Sequence, residues 1–349
     1  MDSRQRITGL IAGTPIDRLP VQPLIMQFAA RHVGMSYLDY VRDGARMAEA
    51  QLRMADDFGI DCLMTCSDPA REVIDIDGEG SVSWEATGPA IVEDRAVLAD
   101  PRRLASLRVP DPSAPGRMHD RIRAIEIMRT TGGAGVSIVG WVEGPLALAQ
   151  ELRGLTAVMM DVYDEPAFLD ELLDFTARVA LRYWEPQVAA GADTIGMSDA
   201  AASMMSAEHY ERFVFPAQLR VVEGIRARAP GVIIRLHMCG QTTDLLPVMA
   251  RLPVDIVELD FPVDLIPARA ALGPDRVILG NVSTVGEMLR GTPDDVFRSA
   301  AACHAACGSR HIVGTGCEVP PETPPENLRA LVAYARDHRP DGSATVSGR

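Results

Sequence analysis

Short apolar runs rich in β-branched residues recur along the chain, separated by stretches of helical periodicity. The runs are VQPLIMQF (21–28), DCLMT (61–65), VSIVGWV (136–142), DTIGM (193–197), VIIRLH (232–237), DIVEL (255–259), RVILG (276–280) and HIVGT (311–315). Each is short and nearly continuous in apolar residues, as expected of strands covered on both faces. Helical patterns fill 41–58, 145–190, 206–228, 241–251, 293–308 and 325–337. Strand–helix alternation implies parallel strands joined by right-handed crossovers. Eight such strands predict an α/β fold of the (β/α)8 TIM-barrel type, with an N-terminal elaboration before the regular repeat. A doubly wound open sheet is the alternative, but no Gly-rich dinucleotide turn supports it.

Helix-start signals fix the register near the C-terminus. Thr292-Pro293-Asp294-Asp295 supplies a cap, a proline at the first helical position and an acidic first turn. Thr323-Pro324-Pro325-Glu326 has the spacing of a capping box, which makes the preceding GCEVPPE (316–322) a loop at a strand end. Residues 100–117, rich in Pro and Arg, read as a surface connection. The expected organisation is one barrel over 1–338 and a disordered tail over 339–349, where periodicity stops.

Composition narrows the function classes. The chain has 349 residues, 47% of them hydrophobic, and a formal charge of −14. Such an acidic chain without a basic stripe does not track a phosphate backbone, so nucleic acid is not an expected partner. No apolar run approaches the roughly 18 residues of a membrane helix. The N-terminus MDSRQRITGLIAG lacks a signal-peptide pattern, so the expectation is a soluble, cytoplasmic protein. Six cysteines in a chain this long are not a secreted disulfide framework and read as buried small residues, metal ligands or nucleophiles.

Polar residues stand at the C-terminal ends of six successive strands: Glu143, Asp199, His237 with Cys239, Asp260, Asn281 and Cys317. Barrel enzymes assemble their sites at that end. On an extended segment His237 and Cys239, two residues apart, point the same way, with Met238 turned into the wall. Cys317, from the last strand, borders the same mouth. One imidazole and two thiolates with a vacant fourth place make the donor set of a catalytic zinc site, and thiolates favour zinc over magnesium. The plainer alternative is a hydrogen-bonded core histidine with two small buried cysteines; the strand-end placement of all three weighs against it. Cys62 and Cys66, and Cys303 and Cys307 flanking His304, read as packing residues rather than ligands. Trp141, Tyr183 and Trp184 read as core or wall. Asp199 and Asp260 are equally compatible with capping the helices that follow them, whereas Glu143 is expected to line the pocket.

At these residues the chain resembles the uroporphyrinogen decarboxylase superfamily, and within it the zinc-containing, corrinoid-dependent methyltransferase branch. The matching segments are GWVEGPLA (140–147), AGADTIGMSDAAAS (190–203), LHMCGQTTDLLP (236–247), LGNV (279–282) and GTGCEVPPETPPEN (314–327). The resemblance implies a (β/α)8 barrel and a zinc motif carried by His237, Cys239 and Cys317. Glu143, Asp199, Asp260 and Asn281 are then candidates for catalysis or substrate binding. The arginine-rich N-terminal segment of the tetrapyrrole decarboxylases is replaced by VQPLIMQFAARHVGMSYLDY, with Arg31 alone, which departs from porphyrin chemistry. The implied reaction moves a methyl group between a small methylated donor, or a thiol acceptor, and the cobalt of a corrinoid (cobalamin) carried by a partner protein. GWVEGPLA and DAAAS lean towards the demethylating direction. A metal-free decarboxylase or lyase, a non-catalytic corrinoid-handling protein and a zinc hydrolase remain as alternatives. A homodimer is compatible with the sequence, which carries no signal deciding oligomeric state.

Overall fold

The computed structural model describes residues 1–345 except Cys66 and Pro69. Nine strands are present among them: β1 (Leu63–Met64), β2 (Val82–Glu85), β3 (Gly88–Ile91), β4 (Ile138–Glu143), β5 (Thr194–Ser198), β6 (Ile233–Met238), β7 (Ile256–Leu259), β8 (Val277–Leu279) and β9 (His311–Ile312). Seven form one all-parallel sheet in the order β1-β4-β5-β6-β7-β8-β9, and β2 and β3 pair as a separate antiparallel hairpin. The parallel strands are buried along their whole length. That is why they read as apolar runs rather than alternating ones.

The eighth stave is irregular. Residues 21–28, expected to be a strand, make only isolated parallel bridges, Val21 to Val313 and Leu24 to Glu318, before turning into the helix Gln27–His32. Pro20 and Pro23 lack the N–H that a ladder needs. The segment still closes the barrel: the Val21 carbonyl accepts from Asp61 N at 2.8 Å on the β1 side. On the β9 side Gln22 N donates to the Val313 carbonyl at 2.9 Å. The fold is therefore a TIM-barrel-like (β/α) architecture with seven regular strands.

Inside the barrel, two apolar clusters are stacked. Leu24, Cys62, Met64, Val139 and Trp141 form one. The other joins Ile233, Ile256, Val277, Leu279 and Ile312 to Ile7, Leu10 and Ile16. The N-terminal elaboration, a helix over Ser3–Ala12 with an Asp2 capping box, thus plugs the end of the barrel opposite the strand C-termini. The remaining core lies between sheet and helices.

Several connections differ from expectation for local reasons. The stretch 145–190 is three helices, Pro145–Arg153, Leu155–Asp164 and Pro166–Ala189, because Gly154 sits at φ 90 and Pro166 begins a new helix. Residues 241–251 form only a 3-10 turn and one helical turn. A helix at Leu265–Leu272 follows β7. The cap at Thr292 forms as expected, and Asp295 completes it as a capping box. The capping box expected at Thr323 does not form: Pro325 holds Pro324 extended at ψ 129, so Pro324 rather than Thr323 precedes the helix Pro325–Asp337. Of the tail expected to be disordered, residues 339–345 form a turn folded back on that helix, with Thr345 N bonding the Asp337 carbonyl at 2.8 Å; residues 346–349 lie outside the described residues.

Candidate metal centre

Strand register sets the site. Glu143 of β4 aligns with Ser198 of β5, Ser198 with His237 of β6, and His237 with Glu258 of β7. Inward positions alternate along each strand. Arg235 and His237 share one face of β6, and Met238 packs on the other, in the outer core. The His237 ring lies 6.3 Å from the Trp141 ring, centroid to centroid, which places Trp141 beside it in the interior.

His237, Cys239 and Cys317 come together as a possible metal-binding group, their ligand atoms all within 4.8 Å of one another. His237 Nε2 is 2.9 Å from Cys239 Sγ, and the two sulfurs are 3.2 Å apart. Ligand atoms about a tetrahedral ion with N and S bonds of about 2.0 and 2.3 Å stand about 3.5–3.8 Å apart, so a small outward movement suffices. A donor set of one imidazole and two thiols fits a borderline-soft ion.

Each ligand is held from behind. His237 Nδ1 lies 2.8 Å from Glu258 Oε2. Glu258 is in turn clasped by Arg235, whose Nε donates at 2.9 Å and whose Nη2 donates to Oε1, both side chains fully buried. A carboxylate behind a ligating imidazole fixes which nitrogen faces the metal. Cys239 precedes Gly240, whose φ of 82 suits glycine and whose N–H donates to Asp260 Oδ2 at 2.7 Å. Cys317 is fixed by the bond from Thr315 Oγ1 to its carbonyl at 2.7 Å. Next to it, Gly316 packs so closely on Asp260 and Phe261 that a Cβ would collide with the Phe261 nitrogen.

The electrostatics favour separated charge. Burial opposes a positive His237, but Glu258 and the neighbouring Cys317 sulfur outweigh it and hold its pKa up at about 10. The Cys239 thiol donates to Cys317 and, with His237, pulls Cys317 down to about 5 against its burial. Cys239 is pushed up by that same bond and by burial. Uptake of a metal ion by this group at neutral pH would therefore displace protons from His237 and Cys239.

The other strand-end residues take different places. Asp260 accepts from Gly240 N and from its own neighbour Phe261 N, both at 2.7 Å, so it braces the ligand loop and caps no helix. Asn281 donates to the Asp260 and Val263 carbonyls at 2.9 and 2.8 Å. Asp199, fully buried, accepts from Ala147 N and from Gln218 Nε2, each at 2.7 Å. It thus caps the helix Pro145–Arg153 that precedes it in the chain, not the one that follows, and burial raises its pKa to about 7. Glu143 is buried beside Ser67, Asp68 and Arg71. Cys303 and Cys307 are buried on the helix Pro293–Cys307, and His304 bonds Tyr334 and the Pro340 carbonyl, consistent with packing. Cys62, Trp141, Tyr183 and Trp184 are core residues; Cys66 lies outside the described residues. Sequence reasoning passed over Glu258 and Arg235. Their signal was a charge of each sign inside two otherwise apolar strands.

A TIM-barrel-like protein carrying a His/Cys/Cys group at the C-terminal mouth is the class that fold and site define. Residues 2–338 match the family model for uroporphyrinogen decarboxylase (URO-D), and the chain belongs to that family. Among curated relatives it is 30% identical over 226 residues to methylcobamide:CoM methyltransferase MtbA of Methanosarcina mazei, covering 64% of this chain and 65% of the relative. It is 30% identical over 241 residues to methylcobamide:CoM methyltransferase MtaA of Methanosarcina barkeri, covering 68% of this chain and 69% of the relative. With a uroporphyrinogen decarboxylase of Trichlorobacter lovleyi it shares 25% identity over 92% of this chain and 94% of the relative. The chain thus spans just under two thirds of the first of these relatives. A solved methyltransferase from Methanosarcina mazei superposes with TM-score 0.81 at 22% identity, covering 96% of this chain and 98% of that one, which supports the fold.

Proposed function

We propose that this protein is a zinc-dependent methyltransferase that moves a methyl group between a small methylated donor, or a thiol, and the cobalt of a corrinoid protein, in the donor-demethylating direction. The observation that carries the reading is the convergence of His237, Cys239 and Cys317 with Glu258 behind the imidazole. The similarity to two methylcobamide:CoM methyltransferases supports the same chemistry. The zinc ion would be held by these three side chains. It supplies Lewis-acid stabilisation of a leaving thiolate, alkoxide or phenoxide. The protein's own residues orient the imidazole through Glu258 and Arg235, keep Cys317 as a thiolate, and brace the two cysteine loops against each other through Asp260 and Gly316.

A corrinoid-bearing partner is supported by the mouth's surface. Met204, Phe261, Ile266 and Val285 are 41–69% exposed and lie on segments following β5, β7 and β8, around the metal group. Exposed apolar residues gathered round a site opening suit a docking protein. No helix among the described residues is long and apolar enough to cross a membrane, and we place the protein in the cytoplasm, where reduced thiols persist. A second reading, a metal-free decarboxylase, draws on the match to the Trichlorobacter lovleyi uroporphyrinogen decarboxylase over 92% of this chain; three preassembled soft ligands weigh against it. The test is metal analysis with Cys317→Ser, paired with a spectral screen of the reduced corrinoid protein and methylated donors. Stoichiometric zinc, its loss in the folded variant, and a donor-dependent cobalt spectrum are expected. A zinc-free wild type would leave the decarboxylase reading.

A further inference from the structure

The metal group accounts for one side of the mouth; facing it from β4 is a buried carboxyl that the metal chemistry leaves unused. Glu143 ends β4 in register with Ser198, which is in register with His237. Neighbouring strands are ~4.8 Å apart, so two steps separate the β4 and β6 backbones by ~10 Å, and inward side chains shorten the gap. Trp141, two residues earlier on the same face, lies beside the His237 ring. A small molecule bound at the metal would sit against Glu143 across the top of the barrel.

The carboxyl is built in, not incidental. Among the described residues its hydrogen bonds all reach one oxygen, Oε1: from Ser67 Oγ at 2.8 Å, Asp68 N at 3.1 Å and Arg71 Nη2 at 3.4 Å. Among the described residues no side-chain or backbone donor is recorded at Oε2. Behind it stand Glu72, whose Oε1 accepts from Arg71 at 2.7 Å, and Glu151 on the helix after β4. Asp68 is neutralised by Arg117 and Arg121, and Arg71 lies over the Tyr183 ring. The charges facing Glu143 are therefore one guanidinium and two further carboxyls.

We propose that Glu143 is the residue that exchanges a proton with the metal-held substrate, giving it to the leaving group of a methyl donor CH3–X and taking it back from HX. The role rests on the methyltransferase reading above. As the carbon–X bond breaks, X keeps its electron pair, takes the Glu143 proton and departs as HX. The methyl group goes to the reduced corrinoid, whose electron pair forms the new bond, and solvent returns a proton to the carboxylate. Burial, and then Glu72, raise the Glu143 pKa to about 7. Both protonation states are then populated at neutral pH, as a group working in both directions requires. Burial, aided by the charges of Glu143 and Glu72, also holds Glu151 well above the ordinary carboxyl range. Arg71 and Ser67 are positioning residues.

The test measures protons rather than turnover. Zinc-loaded wild type, Glu143→Gln and Glu143→Asp are titrated with 2-mercaptoethanol by calorimetry at pH 8 in buffers of differing ionisation enthalpy. Cobalt(II)-substituted protein reports thiolate–metal binding by its absorption. Wild type should hold the thiol's proton and release close to none. Glu143→Gln should release about one per thiol bound, with unchanged metal content, and Glu143→Asp should fall between the two. Equal release from wild type and Glu143→Gln overturns the role of Glu143 while leaving the metal reading intact. Absence of any cobalt–thiolate band in the wild type overturns the methyltransferase reading and this inference with it. A Glu143→Gln protein without metal, while Glu143→Asp retains it, makes the residue structural and also overturns the proposal.

Discussion

Glu258 is the residue whose removal should reveal most about the metal centre, because it serves two partners at once. It lies 2.8 Å from His237 Nδ1 and is clasped by Arg235, with both members of the ion pair fully buried. Glu258→Gln keeps an oxygen that can accept Nδ1–H but abolishes the charge. Changes behind a metal-bound histidine cost about 10–100-fold in affinity. The surviving acceptor places this variant near tenfold, or ~1.4 kcal/mol. The same substitution strands the Arg235 cation among apolar neighbours, and breaking a buried pair from one side costs ~3–5 kcal/mol of folding stability. The two effects separate in Arg235→Met with Glu258→Gln, which removes both charges and leaves a side chain of similar reach beside Trp141. Urea unfolding of the metal-free proteins should show a large loss in the single variant and recovery of most of it in the double. Zinc competition against a chromophoric chelator should show tenfold weakening in both. Affinity within twofold of wild type in Glu258→Gln, or affinity restored along with stability in the double variant, would refute the reasoning.

Gly316→Ala should weaken zinc binding at least about tenfold without unfolding the barrel, since the added Cβ displaces the Cys317 loop from Phe261; metal content and circular dichroism check it. His311 is fully buried, and burial lowers its pKa to about 3 despite its bond to the Gly280 carbonyl. A depressed histidine contributes stability above its unfolded pKa of about 6.5 and loses it as pH falls towards 3, at up to ~1.4 kcal/mol per unit. The stability difference between wild type and His311→Leu should accordingly shrink or reverse from pH 7 to 4 in urea titrations, and a pH-independent difference would contradict the assignment. Phe261→Glu and Met204→Glu, both exposed, should raise the KM for the corrinoid protein about tenfold or more while leaving zinc content and unfolding within ~0.5 kcal/mol of wild type. An unchanged KM would move the docking surface elsewhere.

The barrel and the convergence of His237, Cys239 and Cys317 were legible because their signals are strong and local. Six strands from VSIVGWV onward are buried on both faces, so their apolar runs are nearly uninterrupted, and the ligands stand where those runs end. Signals failed where local chemistry competed. Pro20 and Pro23 thinned the first strand to two bridges, and Pro262 and Pro267 masked the helix after β7. The hairpin over 82–91 turns at Ala86-Thr87 between mostly half-buried residues, which weakened its pattern. The strand-end positions of Glu143, Asp199, Asp260 and Asn281 were visible in the sequence, yet their partners were not. Asp199 reaches back to Ala147 across 52 residues of chain, and no spacing rule encodes a contact made by closing a sheet. Glu258 was hidden differently. A charge inside DIVEL reads as noise until its cross-strand neighbours Arg235 and His237 are known.

The helix Ser3–Ala12 packs Ile7 and Leu10 under the barrel floor, and this has a kinetic consequence. With that end filled, the mouth at the strand C-termini is the entrance that the proposed small molecule and corrinoid protein would share. Whichever is smaller must enter first, and its product cannot leave until the larger one lifts away. Steady-state rates should then obey a compulsory order of addition, and excess partner should slow turnover by trapping the empty vestibule.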